Sequence, residues 1–385
     1  AQHLRCYKMS TLKADTVTAA TTNGDLSIAN QGTGGIAIDG MPHKNLLING
    51  NFAICQRATS TTGTSTGGSY NLADRWKEVI QGGGTVNIAQ DTAVPNETFG
   101  FSYKWTVNAT DSSLAASDYY NVSQMIEGFN AVQLAFGTAD AKSVTVSFWA
   151  KTSLSITLAC VLGNNANNRA YAQDFACTTS WQRFELTFPG DTSGTWVGAT
   201  NGSGLRVTFS LASGATRDFS TGSWQAENGW ASTSQGNFMT NSSATFNITG
   251  VQVEVGPTMT DFEHPSSYGS ELARCQRYFH RLGEVANEVV AFGGSDTTSN
   301  ATWWFQFPVE MRAAPTQSEN TVNLFDCLYN GTSRTAMNSF DATIISTLNC
   351  HMLSGLTSAS LADNQPTWLA VDSGGTGYID FDAEL

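Results

Sequence analysis

Charge is what this sequence has least of. Only 13% of its 385 residues are Asp, Glu, Lys or Arg, and 19 basic against 32 acidic residues leave a formal net charge of −13. With no basic stripe and that excess of negative charge, nucleic acid and anionic membrane surfaces are repelled, and neither is expected as a partner. Long hydrophobic runs are missing too. The longest apolar patches, 156–162 and 132–136, fall short of the roughly 18 residues a spanning helix requires, so no membrane insertion is expected. Residues 1–8 lack the apolar stretch and small-residue cleavage site of a secretory leader. Histidine is rare and scattered (His3, His43, His264, His280, His351), with no zinc-ligand spacing, so no metal and no cofactor is expected. The seven cysteines follow no C-x-x-C pattern and read as reduced, mostly buried thiols, as in a protein assembled in cytoplasm. Cys160 with Cys177 is the one pair to examine for a bridge.

What is present points to an all-β fold. Ser, Thr, Asn and Gly fill the spaces between Val, Ile, Phe, Trp and Tyr, whereas the strong helix formers are scarce. Within residues 1–44 a ten-residue repeat places Leu26 over Ile36 and Ile28 over Ile38, in two short strands bounded by Gly and Asn. Each is too small to bury its own apolar face, so this segment reads as a β stalk completed by two further copies of the chain. From 45 to 263, period-two runs recur between turn clusters at β-sandwich spacing. Val144, Val146 and Phe148 share one face, as do Phe184, Leu186 and Phe188, then Val207, Phe209 and Leu211. Ile248, Val251, Val253 and Val255 do so once a turn at Gly250 is allowed for. The stretches 58–69 and 190–204 read as long loops.

A connector spans 264–283, with a helix over 267–282 from the spacing of Leu272, Cys275, Phe279 and Leu282. Its basic residues, Arg274, Arg277, His280 and Arg281, suit a helix C-terminus better than an anion site. A second β domain, the tip, spans 284–385. There Phe305, Phe307, Val309 and Met311 alternate with polar or outward neighbours, and Ile379, Phe381, Ala383 and Leu385 form a last strand docked in the fold.

Several blocks together resemble a known family. They are Asn45–Phe52 with Gln56–Arg57, Leu72–Trp76, Val251–Gly256 leading into Asp261–His264, and Cys275–Phe279. To these add Met9–Thr16, Phe307–Pro315 and Phe381–Leu385. In these the chain is similar to a group of bacteriophage tail or head fibre proteins. The resemblance implies a homotrimeric virion appendage assembled in the bacterial host cytoplasm. Its N-terminal region would bind other virion structural proteins, a jelly roll would form the middle, and the sandwich and β-rich tip would face host surface polysaccharide. It leaves head or tail position open. The middle domain also resembles jelly-roll carbohydrate-binding modules, in an opening strand at Asn49–Phe52 and a closing one at Val251–Glu254. Where those modules carry a calcium-holding Glu after the opening Phe, this chain has Ala53.

Catalytic patterns are weak. Gly63–Gly67 matches G-x-S-x-G without the strand–turn–helix context, and Gly32–Gly34 imitates a dinucleotide loop inside the stalk repeat. Among so many acids no pair such as Asp74, Glu185 or Glu263 can be singled out for glycoside hydrolysis, and no enzyme is expected. Asp74–Arg75 reads as an ion pair fixing the sandwich edge. Sugar rings stack on aromatic faces, which makes the loop tryptophans Trp196, Trp224 and Trp230 the carbohydrate-binding candidates, with core packing as the competing role. Trp303, Trp304 and Trp368 in the tip share that ambiguity, whereas Trp76, Trp105, Trp149 and Trp181 are assigned to the core.

Overall fold

The structure, a computed structural model, describes residues 44–385 apart from 66, 332, 359 and 360. The stalk residues Leu26, Ile28, Ile36 and Ile38 lie outside the described residues. Residues 44–385 belong to one compact unit, built almost wholly from antiparallel strands.

The first sandwich has two six-stranded sheets. Sheet I runs, in spatial order, Ser60–Thr64, Thr85–Asp91, Ser102–Ala109, Thr245–Val255, Val144–Thr152 and Gln182–Phe188. Sheet II runs Gly67–Ser69, Lys77–Gln81, Tyr119–Glu127, Ser203–Ser213, Ile156–Gly163 and Ala170–Cys177. The alternating residues meet between them as one core: Val86, Trp105, Val146, Phe148 and Val253 face Val122, Leu162, Phe175, Val207 and Phe209. This is the face-to-face packing that period-two patterning requires.

Sequence expectations and structure part at several places, each for a local reason. The turn at Gly250 is instead a bulge inside the continuous strand Thr245–Val255, where the register slips between Thr249 and Gln252. Gly250 sits there at φ +60°, a left-handed conformation that glycine adopts without cost. The stretch 58–69 is no loop, since it supplies an edge strand to each sheet. Asn49–Phe52 forms no strand; it is a turn with Asn49 at φ 58° and Phe52 at φ 55°. The Asn49 side chain holds that turn, donating to Ile54 O (2.8 Å) and Asp74 O (3.0 Å) and accepting from Ile54 N (3.0 Å). Trp149 and Trp181 are half-buried on the outer surface, whereas Trp76 and Trp105 are in the core. Cys160 lies opposite Gln173 and Cys177 opposite Ile156, so the two thiols occupy different rungs and stay free.

Beside the Asn49 turn, Gly50 packs so closely on the closing strand that a Cβ there would sit 2.1 Å from Val251 O. Gly50→Ala is therefore expected to cost about 1–3 kcal/mol of overpacking, read as a lower urea midpoint with an unchanged slope.

The helix covers only Tyr268–Gln276, started by a Ser267/Ser270 capping box. It stops because the next residues pair elsewhere: Phe279–Gly283 is a strand whose partners are Tyr378–Asp382. Together with Thr316–Glu319 these make the three-stranded sheet IV. Sheet III has seven strands in the order Ser333–Ala336, Phe325–Tyr329, Pro366–Val371, Val289–Ser295, Asn300–Gln306, Asn349–Gly355 and Asp341–Ile345. Sheets III and IV close the tip core around Trp303, Met352, Leu369, Ile379 and Phe381.

Candidate functional site

The loop tryptophans are packed rather than presented. Trp196 lies edge-on to Phe136 (4.8 Å between centroids) and Trp224 (5.4 Å), and Trp224 meets Tyr171 in the same way (5.4 Å). Their indole N–H groups are spoken for, Trp196 donating to Asp191 and Ser193 O, and Trp224 to Pro189 O. Trp230 carries the Arg206 guanidinium 3.6 Å from its ring centre and lies parallel to Tyr119 at 6.1 Å. The segment bearing Trp224 and Trp230 crosses the outer face of sheet II. Phe219 seals it against Ala159, Val161, Ala170 and Ala172, while Gln225 bridges to Ala170. Interdigitated rings of this kind gain dispersion and quadrupole contacts but leave little free face for a sugar.

Of the blocks that carry the fibre resemblance, Gln56–Arg57, Leu72–Trp76, Cys275–Phe279 and Phe381–Leu385 meet at the seam between sandwich and tip. Arg75 is ion-paired to Glu384, not to its neighbour Asp74, donates to Met125 O (2.6 Å) and lies 3.5 Å over the Tyr278 ring. Arg57 reaches Asp382 (3.0 Å) and Glu384 (3.5 Å) and lies 3.5 Å over Phe279. Asp74 accepts from Gln56 instead, and burial pushes its carboxyl up to about 6 against the opposing pull of Arg57 and Gln56. Every arginine around the helix C-terminus is committed: Arg274 to Glu271, Arg277 to Glu127 (2.7 Å), Arg281 to Asp380 (2.6 and 2.8 Å). His280 lies flat against Phe305 at 5.5 Å, and burial lowers its pKa to about 4. A surface pocket of about 500 Å³ opens here, lined by Asn45, Glu127, Phe129, Arg274, Arg277 and Tyr278. Its two cations already face carboxylates, so it offers an anion little net charge.

An exposed aromatic row lies on the outer face of sheet III. Strand register places Trp368, Phe292, Trp304 and His351 opposite one another on four adjacent strands. Leu328 and Arg334 extend the row beyond Trp368. Phe292 is 64% exposed and Trp304 55%, the most open rings of the tip. Trp303, next in sequence, points the other way into the core. Polar groups flank the row: Thr302 donates to Asp296, and Asp326 pairs with Arg334 at 3.2 Å. Trp304 and Trp368 were thus named among the sequence candidates, whereas Phe292 was not. The signal that finds it is register: Ser295 and Ala301 pair across the turn, and counting outward sets Phe292 against Trp304.

Chemically, this row can stack on flat apolar faces, and the polar groups beside it can hydrogen-bond to hydroxyls. Among the described residues no cluster of His, Cys, Asp or Glu is arranged to hold a metal ion. The G-x-S-x-G match falls between edge strands of opposite sheets and is followed by a strand, not the helix an activated serine needs.

No protein-family model matches the sequence, and no curated protein matches it. Among solved structures, the chain is similar to the enzymatically active domain of tailspike protein 4 from bacteriophage CBA120, with 13% identity and a TM-score of 0.32. That alignment covers 56% of this chain and only 22% of the tailspike. The family 11 carbohydrate-binding module of a Clostridium thermocellum cellulosomal cellulase aligns with 11% identity and a TM-score of 0.27, over 52% of this chain and 100% of its own. The module TmCBM61, solved with β-1,4-galactotriose, gives 12% identity and a TM-score of 0.27, over 55% of this chain and 98% of its own. At these scores the likenesses add nothing to what the strand pairing already shows.

Proposed function

We propose that this chain is a non-enzymatic structural and adhesive protein, a subunit of a homotrimeric virion fibre that holds on to host surface polysaccharide. The observation that carries the reading is the open aromatic row on the outer face of the tip, displayed by a body whose Arg57, Arg75, Arg277 and Arg281 are paired in an internal seam. A sparsely charged, hydroxyl-rich composition with a net charge of −13 suits an adhesive contact with uncharged sugars and disfavours polyanions. The resemblance of the Asn45–Phe52, Leu72–Trp76 and Phe381–Leu385 blocks to phage fibres supplies the virion context. Residues 1–44 are the part assigned to trimer formation and to attachment on the particle.

The test is retention of the labelled full chain on a panel of bacteria before and after periodate oxidation of their surface sugars. The expected result is capture by at least one strain, lost after periodate, with no new reducing ends released and a sedimenting mass of three chains. Release of reducing ends would instead identify a depolymerase. Capture that survives periodate would remove the glycan as receptor.

A further inference from the structure

We propose that Phe292 and Trp304, with Trp368 and His351 at the flanks, form a platform for an extended neutral oligosaccharide lying across the strands of sheet III. The proposal rests on the adhesive reading above and names where, and for which class of sugar, that adhesion happens. Four adjacent strands put the row at three inter-strand steps, about 14 Å at roughly 4.8 Å each. The ring-to-ring repeat of an extended glycan chain is close to that step, so successive sugars can meet successive side chains.

The two central rings are open to solvent. Phe292 and Trp304 are more than half exposed, on a sheet face where Gly294 and Thr302, two rungs along, leave low ground beside them. Trp304 and His351 are tilted by 52° with centroids 5.2 Å apart, which keeps the indole from being covered by its neighbour. Alternation fixes the direction in which they point, because Ala301 and Trp303 take the inward positions on the same strand.

Size and charge select the occupant. An aromatic side chain can bury about 150–250 Å², so two rings at this exposure, together with half-buried Trp368 and Leu328, present a patch of roughly 400 Å². A stable contact with a second protein surface takes about 800 Å² from each partner. The patch is thus half of what another copy of this chain would need, and it fits a short oligosaccharide. The one cation on the row, Arg334, is already neutralised by Asp326 at 3.2 Å. With Asp296 also close to the row through Thr302, an acidic sugar would meet no free positive charge. The complementary ligand is an uncharged hexose polymer.

Affinity electrophoresis of the full chain in gels containing neutral linear glucan, galactan or mannan, beside gels containing dextran sulfate, tests this. The expected result is retardation in at least one neutral gel and none in dextran sulfate. Phe292→Ala and Trp304→Ala should each weaken it at least tenfold, and Trp304→Phe should keep most of it. Because both rings are solvent-exposed, melting temperatures should stay at the parental value. Four outcomes overturn the proposal: no retardation in any neutral gel, retardation in dextran sulfate alone, unchanged retardation by the Phe292→Ala/Trp304→Ala double variant, or a change in sedimenting mass on making that variant, which would identify a second copy as the occupant. If the double variant still binds cells in a periodate-sensitive way, the adhesive reading stands and this site falls. If the parent binds no cell, the adhesive reading falls with it.

Discussion

Glu384→Ala is expected to destabilise the protein by about 3–5 kcal/mol, the cost of leaving a buried arginine without its partner. Glu384 is 3% exposed and Arg75 only 1%, so water cannot replace the lost carboxylate, and Arg57 loses a second neighbour at 3.5 Å. Urea unfolding of the purified variant measures the loss. A double change, Arg75→Met with Glu384→Leu, should recover most of it, because removing both charges also removes both desolvation penalties. A single variant within 1 kcal/mol of the parent would show that solvent reaches the seam.

The second large effect is on pH. Glu78 lies inside the first sandwich, accepting from Tyr103 of the facing sheet and from Asn71 N (3.1 Å) and Nδ2 (3.0 Å). Burial pushes its carboxyl up to about 8 from an ordinary 4.5, with the Asn71 bonds opposing. Between those two values the folded chain keeps a proton that the unfolded chain has released. Stability is therefore fully present below about 4.5 and falls as pH rises towards about 8. At 1.36 kcal/mol per unit this amounts to about 5 kcal/mol. Asp74, pushed up to about 6, slopes the same way over a lower range. Thermal melts should show a higher midpoint at mildly acidic than at mildly alkaline pH. Glu78→Gln should flatten the slope, because its amide can donate to the Tyr103 oxygen while its carbonyl accepts from Asn71. A parent whose midpoint does not move over this range would contradict the assignment.

How much of this was legible in the sequence depends on the range of the forces involved. Alternation is local, so the sandwich strands and their inward faces followed from residues such as Val144, Val146 and Phe148, which are buried as their spacing required. The docked last strand followed in the same way, with Ile379 and Phe381 fully buried. What failed were readings that a distant partner overrides. Leu272 and Cys275 are helical, but Phe279 and Leu282 continue the spacing only by coincidence, because pairing with Asp382 and Ile379 draws them into a sheet. Arg75 was matched to its neighbour in sequence, whereas its partner lies 309 residues away. The loop tryptophans stood in the sequence between a sugar platform and core packing, and ring-to-ring packing is what surrounds Trp196 and Trp224. Phe292 was invisible until register placed it beside Trp304, since a single phenylalanine before two glycines carries no signal of its own.

The seam has a mechanical consequence. Tyr378–Asp382 is the central strand of sheet IV, and the residues just after it are gripped from the other sandwich: Arg75 holds Glu384, and Tyr70 donates to Leu385 O at 2.5 Å. Tension applied to the tip therefore reaches the C-terminal segment as well as the covalent connector, and strains these contacts together with the Arg281–Asp380 fork. Bonds loaded in parallel share the force, whereas bonds peeled in series yield singly. Contacts arranged in this way have to give together before the tip can part from the sandwich.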